Sequence, residues 1–123
     1  MSDFAYYNSN PHGYEEEDCV CRAIKLALNL DYDVVDRLLT LVADHRQCDK
    51  LCLNCYHYLL EDIFNLPVRY CENSETVKDI ARRFPRNVLL IRIQGHLTCA
   101  VYGVIFDLWD CGSEQADCYW ITA

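Results

Sequence analysis

The hydrophobic period of this chain changes once, and the change falls at Pro85. Before it, apolar residues recur at the spacing of three and four that turns one face of a helix toward a core. After it, short β-branched runs alternate with turn residues. Helices first and strands second predict an α+β chain, with N-terminal helices packed on a C-terminal antiparallel β-sheet, because strands with only turns between them pair as hairpins.

Val20, Ala23, Ile24, Ala27 and Leu28 mark a first helix over Cys19–Leu28, with Asp18 as its N-cap. Asp31 or Asp33 caps a second, whose Val34, Val35, Leu38, Leu39 and Val42 share a face, and which fades near Asp44 to Cys48. Residues 51–64 predict a third through Leu51, Cys55, Tyr58, Leu59, Ile63 and Phe64, halted ahead of Pro67. Asn73 or Ser74 starts a fourth that carries Thr76, Val77, Ile80, Ala81 and Phe84 up to Pro85. Strands follow at Val88–Ile93, at His96–Val101 and at 104–108, the last two joined by a Tyr102-Gly103 turn, with 119–121 as an added edge strand. Residues 1–17 show no periodicity and read as an extended, solvated arm bearing Tyr6, Tyr7, Tyr14 and the acidic run Glu15 to Asp18, which leaves 18–123 as one domain.

A formal charge of −8 opposes a phosphate backbone, and no basic run reverses this locally, so nucleic acid is excluded as a generic partner. The chain opens without a basic start followed by an apolar run, and holds no uncharged apolar stretch of about eighteen residues, so a cytoplasmic protein that does not engage a membrane is expected. In such a chain nine cysteines, an odd number, read as reduced thiols, although Cys99, Cys111 and Cys118 fall near one end of the expected sheet. No cofactor is implied.

Cysteine attacks as thiolate, and a helix N-terminus favours that anion through its unsatisfied amides and dipole. Cys19 occupies such a position. An imidazole on a rigid strand and a carboxylate to hold its tautomer complete the chemistry, and His96 and Asp107 supply both, since the hairpin returns Asp107 beside His96. Asp110, just past the strand end, is the substitute for Asp107, and Trp109 would shield the pair from water.

This order of Cys at a helix start, Gly-His on a strand and Asp-x-Trp after a short return resembles the Cys, His, Asn/Asp layout of papain-like cysteine peptidases. Asp107, Leu108 and Trp109 are similar to the Asn-Ser-Trp step of that superfamily, with Asp in place of Asn. A closer resemblance is to small uncharacterised proteins of bacteria and their phages, on DCVCRAI at Asp18 to Ile24, GHLTCAV at Gly95 to Val101, FDLWDC at Phe106 to Cys111, and Tyr119-Trp120. The resemblance spans Cys19 to Trp120. It implies a papain-like (cysteine proteinase-like) fold and a peptidase, isopeptidase or amidase acting on a protein or peptide substrate, with Cys19 as nucleophile, His96 as acid and base, and Asp107 as orienting group.

Two departures stand against it. Cys21 adds a second thiol near the nucleophile, turned away from Cys19 by the helical pitch. No Gln precedes Cys19 to bind the oxyanion, which leaves the Cys19 amide with Asn10 or Asn8 as replacements. A silent alternative keeps the fold as a binding or inhibitor module that blocks a host protein, for which an acidic surface suits a basic target. A third reading draws on His45, Cys48, Cys52, Cys55 and His57: Cys52 and Cys55 form CxxC, and Cys48 with His57 would complete a tetrahedral zinc site in a zinc-stabilised interaction domain. The competing account of that set is a helical stripe of thiols packed into the core.

Overall fold

The computed structural model describes residues 3–13, 18–72 and 74–123. Its elements run β1 (Phe4–Tyr6), α1 (Cys19–Leu28), α2 (Tyr32–Arg46), α3 (Leu53–Tyr58), a π-helical turn (Leu59–Ile63), β2 (Arg69–Tyr70), α4 (Val77–Arg83), β3 (Val88–Ile93), β4 (His96–Val101), β5 (Val104–Asp107) and β6 (Cys118–Ile121). This is an α+β chain with one sheet of six strands, in the order β1-β5-β4-β3-β6-β2. The sheet is mixed rather than purely antiparallel, because Phe4–Tyr6 leaves the expected arm and pairs parallel with β5. The expected edge position of the last strand also fails: β6 lies between β3 and β2, and β2 takes the edge.

The period-2 alternation of β3 sorts its side chains onto two layers. Leu90 joins Leu97, Cys99 and Trp120 against α1, α2, α3 and the π-helical turn through Ile24, Val35, Leu39, Cys55 and Leu59. Leu89, Ile91 and Ile93 join Ala100 and Ile105 against Val77, Ile80 and Ala81 of α4. The sheet is therefore covered on both faces, by three helices on one and by α4 on the other. Cys99 and Cys118 belong to the first layer and Cys111 to the second, so these three thiols do not form one cluster. All nine cysteines are free thiols.

Local chemistry explains where the helices begin and end. Asp31 caps α2, its side chain accepting from the Asp33 amide at 2.9 Å. α4 starts later than its apolar pattern predicts, because Thr76 and Asp79 form a reciprocal capping box that makes Thr76 the cap instead of a core residue; Asn73 lies outside the described residues. The third predicted helix differs most. Cys52 caps α3 from outside, and after Tyr58 the Phe64 amide bonds the Leu59 carbonyl, five residues back, at 3.0 Å. That wider turn rotates the apolar face, so Leu60 is buried while Ile63 is 47 % exposed. Among the described residues no helix is long and apolar enough to cross a membrane.

Candidate active site

α1 places Cys19 at its first helical position, half-buried, with Val20, Cys21, Ala23 and Ile24 directed into the core. Asp18 stands at the cap position but makes no bond to a first-turn amide. Its carboxylate accepts instead from Arg22 Nε at 2.7 Å, Asn10 Nδ2 at 3.0 Å and the Tyr32 hydroxyl at 3.1 Å. A buried guanidinium four residues along offers a charge-assisted bond, which outcompetes a neutral amide. Asp18 is thus an anchor where the sequence predicts a cap.

The other two residues come from the β4–β5 hairpin. Its turn uses Tyr102 and Gly103, both at positive φ (49° and 82°), the paired left-handed geometry that a two-residue hairpin requires. His96 opens β4 directly after Gly95, and Asp107 closes β5. His96 Nε2 bonds Asp107 Oδ2 at 2.7 Å, and the Thr98 hydroxyl donates to the same oxygen at 2.6 Å. The Leu108 amide and Arg22 Nη1 donate to Asp107 Oδ1 at 2.7 and 3.1 Å. Four donors therefore meet one carboxylate that is 2 % exposed.

Burial alone would raise the pKa of Asp107, but the bonds from His96 and Thr98 with the adjacent imidazolium hold it below the ordinary carboxylate value. His96 responds in the opposite direction. Burial disfavours its charge, yet its bonds with Asp107, Cys111 and Cys19 and the Asp107 charge outweigh that and push it up to about 11. Cys19 completes the line. Its burial opposes ionisation, but the hydrogen bond with His96, the Leu97 amide and the charges of His96 and Arg22 hold the thiol below its ordinary value. Asp107 occupies Nε2, and the ring also meets the thiols of Cys19 and Cys111.

The remaining predicted residues have separate stations. Trp109 lies against the imidazole, ring centroids 5.2 Å apart, and is 44 % exposed. The Asp110 carboxylate accepts from the Gly112 amide at 3.0 Å and so shapes the turn after Trp109. Asn10 is buried with its amide directed to Asp18 and its carbonyl taken by the His12 amide at 2.8 Å, so it braces the residue before Cys19. Asn8 bonds the Asn10 amide and the Gly13 carbonyl. Cys21 is buried, donates to the Tyr32 carbonyl at 3.5 Å, and is pushed up to about 12 by burial and the charge of Asp36. Tyr14 and Glu15 to Glu17 lie outside the described residues.

A cavity of about 430 Å³ opens on Cys19 and His96, walled by Val20, Leu51, Leu53, Tyr56 and Ile93. Leu53 and Arg92 also line a second, of about 610 Å³, which reaches His57, Glu61 and Tyr70.

Of the zinc set, the Cys48 thiol meets both Cys52 and Cys55. His57 is held at both ring nitrogens, Nδ1 by Glu61 at 2.7 Å and Nε2 by Arg92 at 2.8 Å, and the Cys55 thiol donates to the Leu39 carbonyl at 3.3 Å. Cys52 sits outside the helix that carries Cys55. Among the described residues, His96, Asp107 and Cys111 form the group whose metal-ligating atoms lie within 4.8 Å of one another. Arg22 and the protonated imidazole already set two positive charges on Asp107, which oppose a metal cation there.

Sequence reasoning missed Arg22 and Thr98. Asp18 and Arg22 stand four apart on a helix, a readable ion pair. The Arg22 bond to Asp107 spans 85 residues and leaves no local signal. Comparison of the chain with protein-family models, with curated proteins and with solved structures finds no match.

Proposed function

We propose that this protein is a cysteine hydrolase of papain-like architecture that cleaves a peptide or isopeptide bond. The observation that carries this reading is the hydrogen-bonded line from Cys19 through His96 to Asp107, with the thiol held below and the imidazole held above their ordinary values. At neutral pH such a pair rests as thiolate and imidazolium.

The Cys19 thiolate attacks the scissile carbonyl carbon, and the carbonyl π electrons move onto oxygen. The Cys19 amide, among the unpaired donors of the first helical turn, faces that oxyanion. His96 gives its proton to the leaving nitrogen as the C–N bond breaks, which leaves a thioester on Cys19 and a neutral ring. A water then attacks the thioester while His96 takes its proton. Collapse releases the carboxylic acid and restores the ion pair. Asp107 stays ionised throughout and holds the ring through Nε2. The apolar cavity beside Cys19 receives the acyl side of the substrate, and Trp109 covers the imidazole.

Alkylation of Cys19 by iodoacetamide across pH tests the proposal, with mass spectrometry to locate the label. The acid limb should lie well below that of a free thiol, and His96→Ala should move it toward the free-thiol position. A Cys19 that titrates as an ordinary thiol and ignores His96→Ala removes the catalytic reading.

A further inference from the structure

The triad does not end at its acid. Asp107 hands its second oxygen to Arg22, Arg22 donates its Nε to Asp18, and Asp18 is the residue before Cys19. Followed in order, the contacts form a ring: Cys19, His96, Asp107, Arg22, Asp18 and back through one peptide bond to Cys19. Every ionised member beyond the nucleophile and the imidazole is nearly enclosed, with Asp18 7 %, Arg22 9 % and Asp107 2 % exposed.

We infer that Arg22 is a positioning residue for the proposed hydrolysis, bridging two buried carboxylates so that the helix carrying the nucleophile and the hairpin carrying the imidazole are locked at one separation. The inference rests on the triad reading and deepens it.

Three features argue for a part in the chemistry beyond packing. The fork of Arg22 is used as a fork: Nε serves Asp18 and Nη1 serves Asp107, a pairing that one lysine ammonium cannot reproduce in that geometry. The bond to Oδ1 turns the carboxylate so that Oδ2 meets His96 and Thr98. Its charge also offsets a second buried carboxylate next to the nucleophile, which would otherwise repel a thiolate. The network is held from outside as well. Asn10 and Tyr32 complete Asp18, and the Ser9 hydroxyl donates to the Arg22 carbonyl at 2.9 Å. The segment before α1 is thereby tied to the base of the site.

The test is the pH profile of Cys19 alkylation by iodoacetamide in the full chain, for the native protein, Arg22→Met, Arg22→Lys and Asp18→Asn, beside the imidazole titration of His96 followed by NMR. Arg22→Met should move the acid limb up by about one pH unit, so that alkylation on that limb is about tenfold slower, and should raise the titration of His96, which no longer shares Asp107 with a second cation. Arg22→Lys keeps the charge but loses the fork and should give a smaller displacement in the same direction; it stands in if Arg22→Met fails to fold. Asp18→Asn removes one leg of the bridge together with the carboxylate that repels the thiolate, and should move the acid limb the other way, below the native one. Variant profiles that superimpose on the native one, with only thermal stability reduced, would overturn the inference and leave the triad intact. A native profile of an ordinary thiol would instead defeat the triad reading, and this inference with it.

Discussion

Of the nine thiols, Cys19 is set apart by environment. Cys55, Cys99 and Cys118 are buried and pushed up to about 12, as Cys21 is, with burial the largest cause in each. Cys19 is the half-buried thiol held below its ordinary value, because an imidazolium faces it. Iodoacetamide at pH 6 should therefore label Cys19 ahead of these four. The same measurement separates the two acids. Asp107→Asn removes the charge that sustains the imidazolium, and should slow alkylation at pH 6 by about ten- to a hundredfold. Asp110→Asn, which loses a turn bond to Gly112, should leave the rate within about twofold of native. A larger effect from Asp110→Asn than from Asp107→Asn would reverse the assignment. The choice of Asp107 over Asp110 is legible in the sequence through strand register. The Arg22 contact that steadies Asp107 is not, because nothing near residue 22 refers to residue 107.

At the level of elements, the hairpin that carries His96 and Asp107 contains a small internal conflict. Tyr102 takes a left-handed backbone (φ 49°), which costs a residue with a Cβ about 1 kcal/mol or more, and its side chain is largely exposed, so little packing offsets the cost. Tyr102→Asn keeps the turn with a residue suited to it, and should raise the unfolding free energy by ~0.5–1 kcal/mol, read from the urea midpoint at constant slope. A lowered midpoint would mean that the Tyr102 ring supports the turn after all. The helices divide by how local their determinants are. α1 and α2 match their predicted starts because the cap positions hold, although Asp18 spends its side chain on Arg22 and Val34, assigned to the apolar face of α2, is 48 % exposed. α3 departs because a single π-type bond after Tyr58 rephases the apolar stripe, and a residue count cannot register a change of pitch.

Across the whole molecule, the site joins the two ends of the chain's pattern: the helical part supplies Cys19 and Arg22, the stranded part His96 and Asp107. Folding creates the His96 charge pair, so stability depends on pH in a defined sense. His96 is raised from 6.5 to about 11 in the folded protein. Its contribution is complete below pH 6.5 and declines as pH rises toward about 11, because the unfolded chain releases the proton first. Asp107 acts with the opposite sign: its carboxyl is lowered from 3.8, so its contribution is present above that pH and is lost as pH falls further. The Tm difference between native protein and His96→Gln should accordingly be largest near pH 6 and shrink at pH 8 and again at pH 10. A difference that stays constant over that range would show that the imidazole is not charged in the fold.

The division of labour follows from the range of the forces. Caps, turn residues and hydrophobic period act over a few neighbours, so α1, α2, the β3–β5 hairpins and the order of Cys19, His96 and Asp107 can be read from the chain alone. Parallel pairing of β1 with β5, the place of β6 inside the sheet, and the Arg22–Asp107 ion pair were decided only in three dimensions. Each depends on burial and charge pairing between segments that meet only after the helices have closed over the sheet, and such contacts leave no periodic trace in sequence.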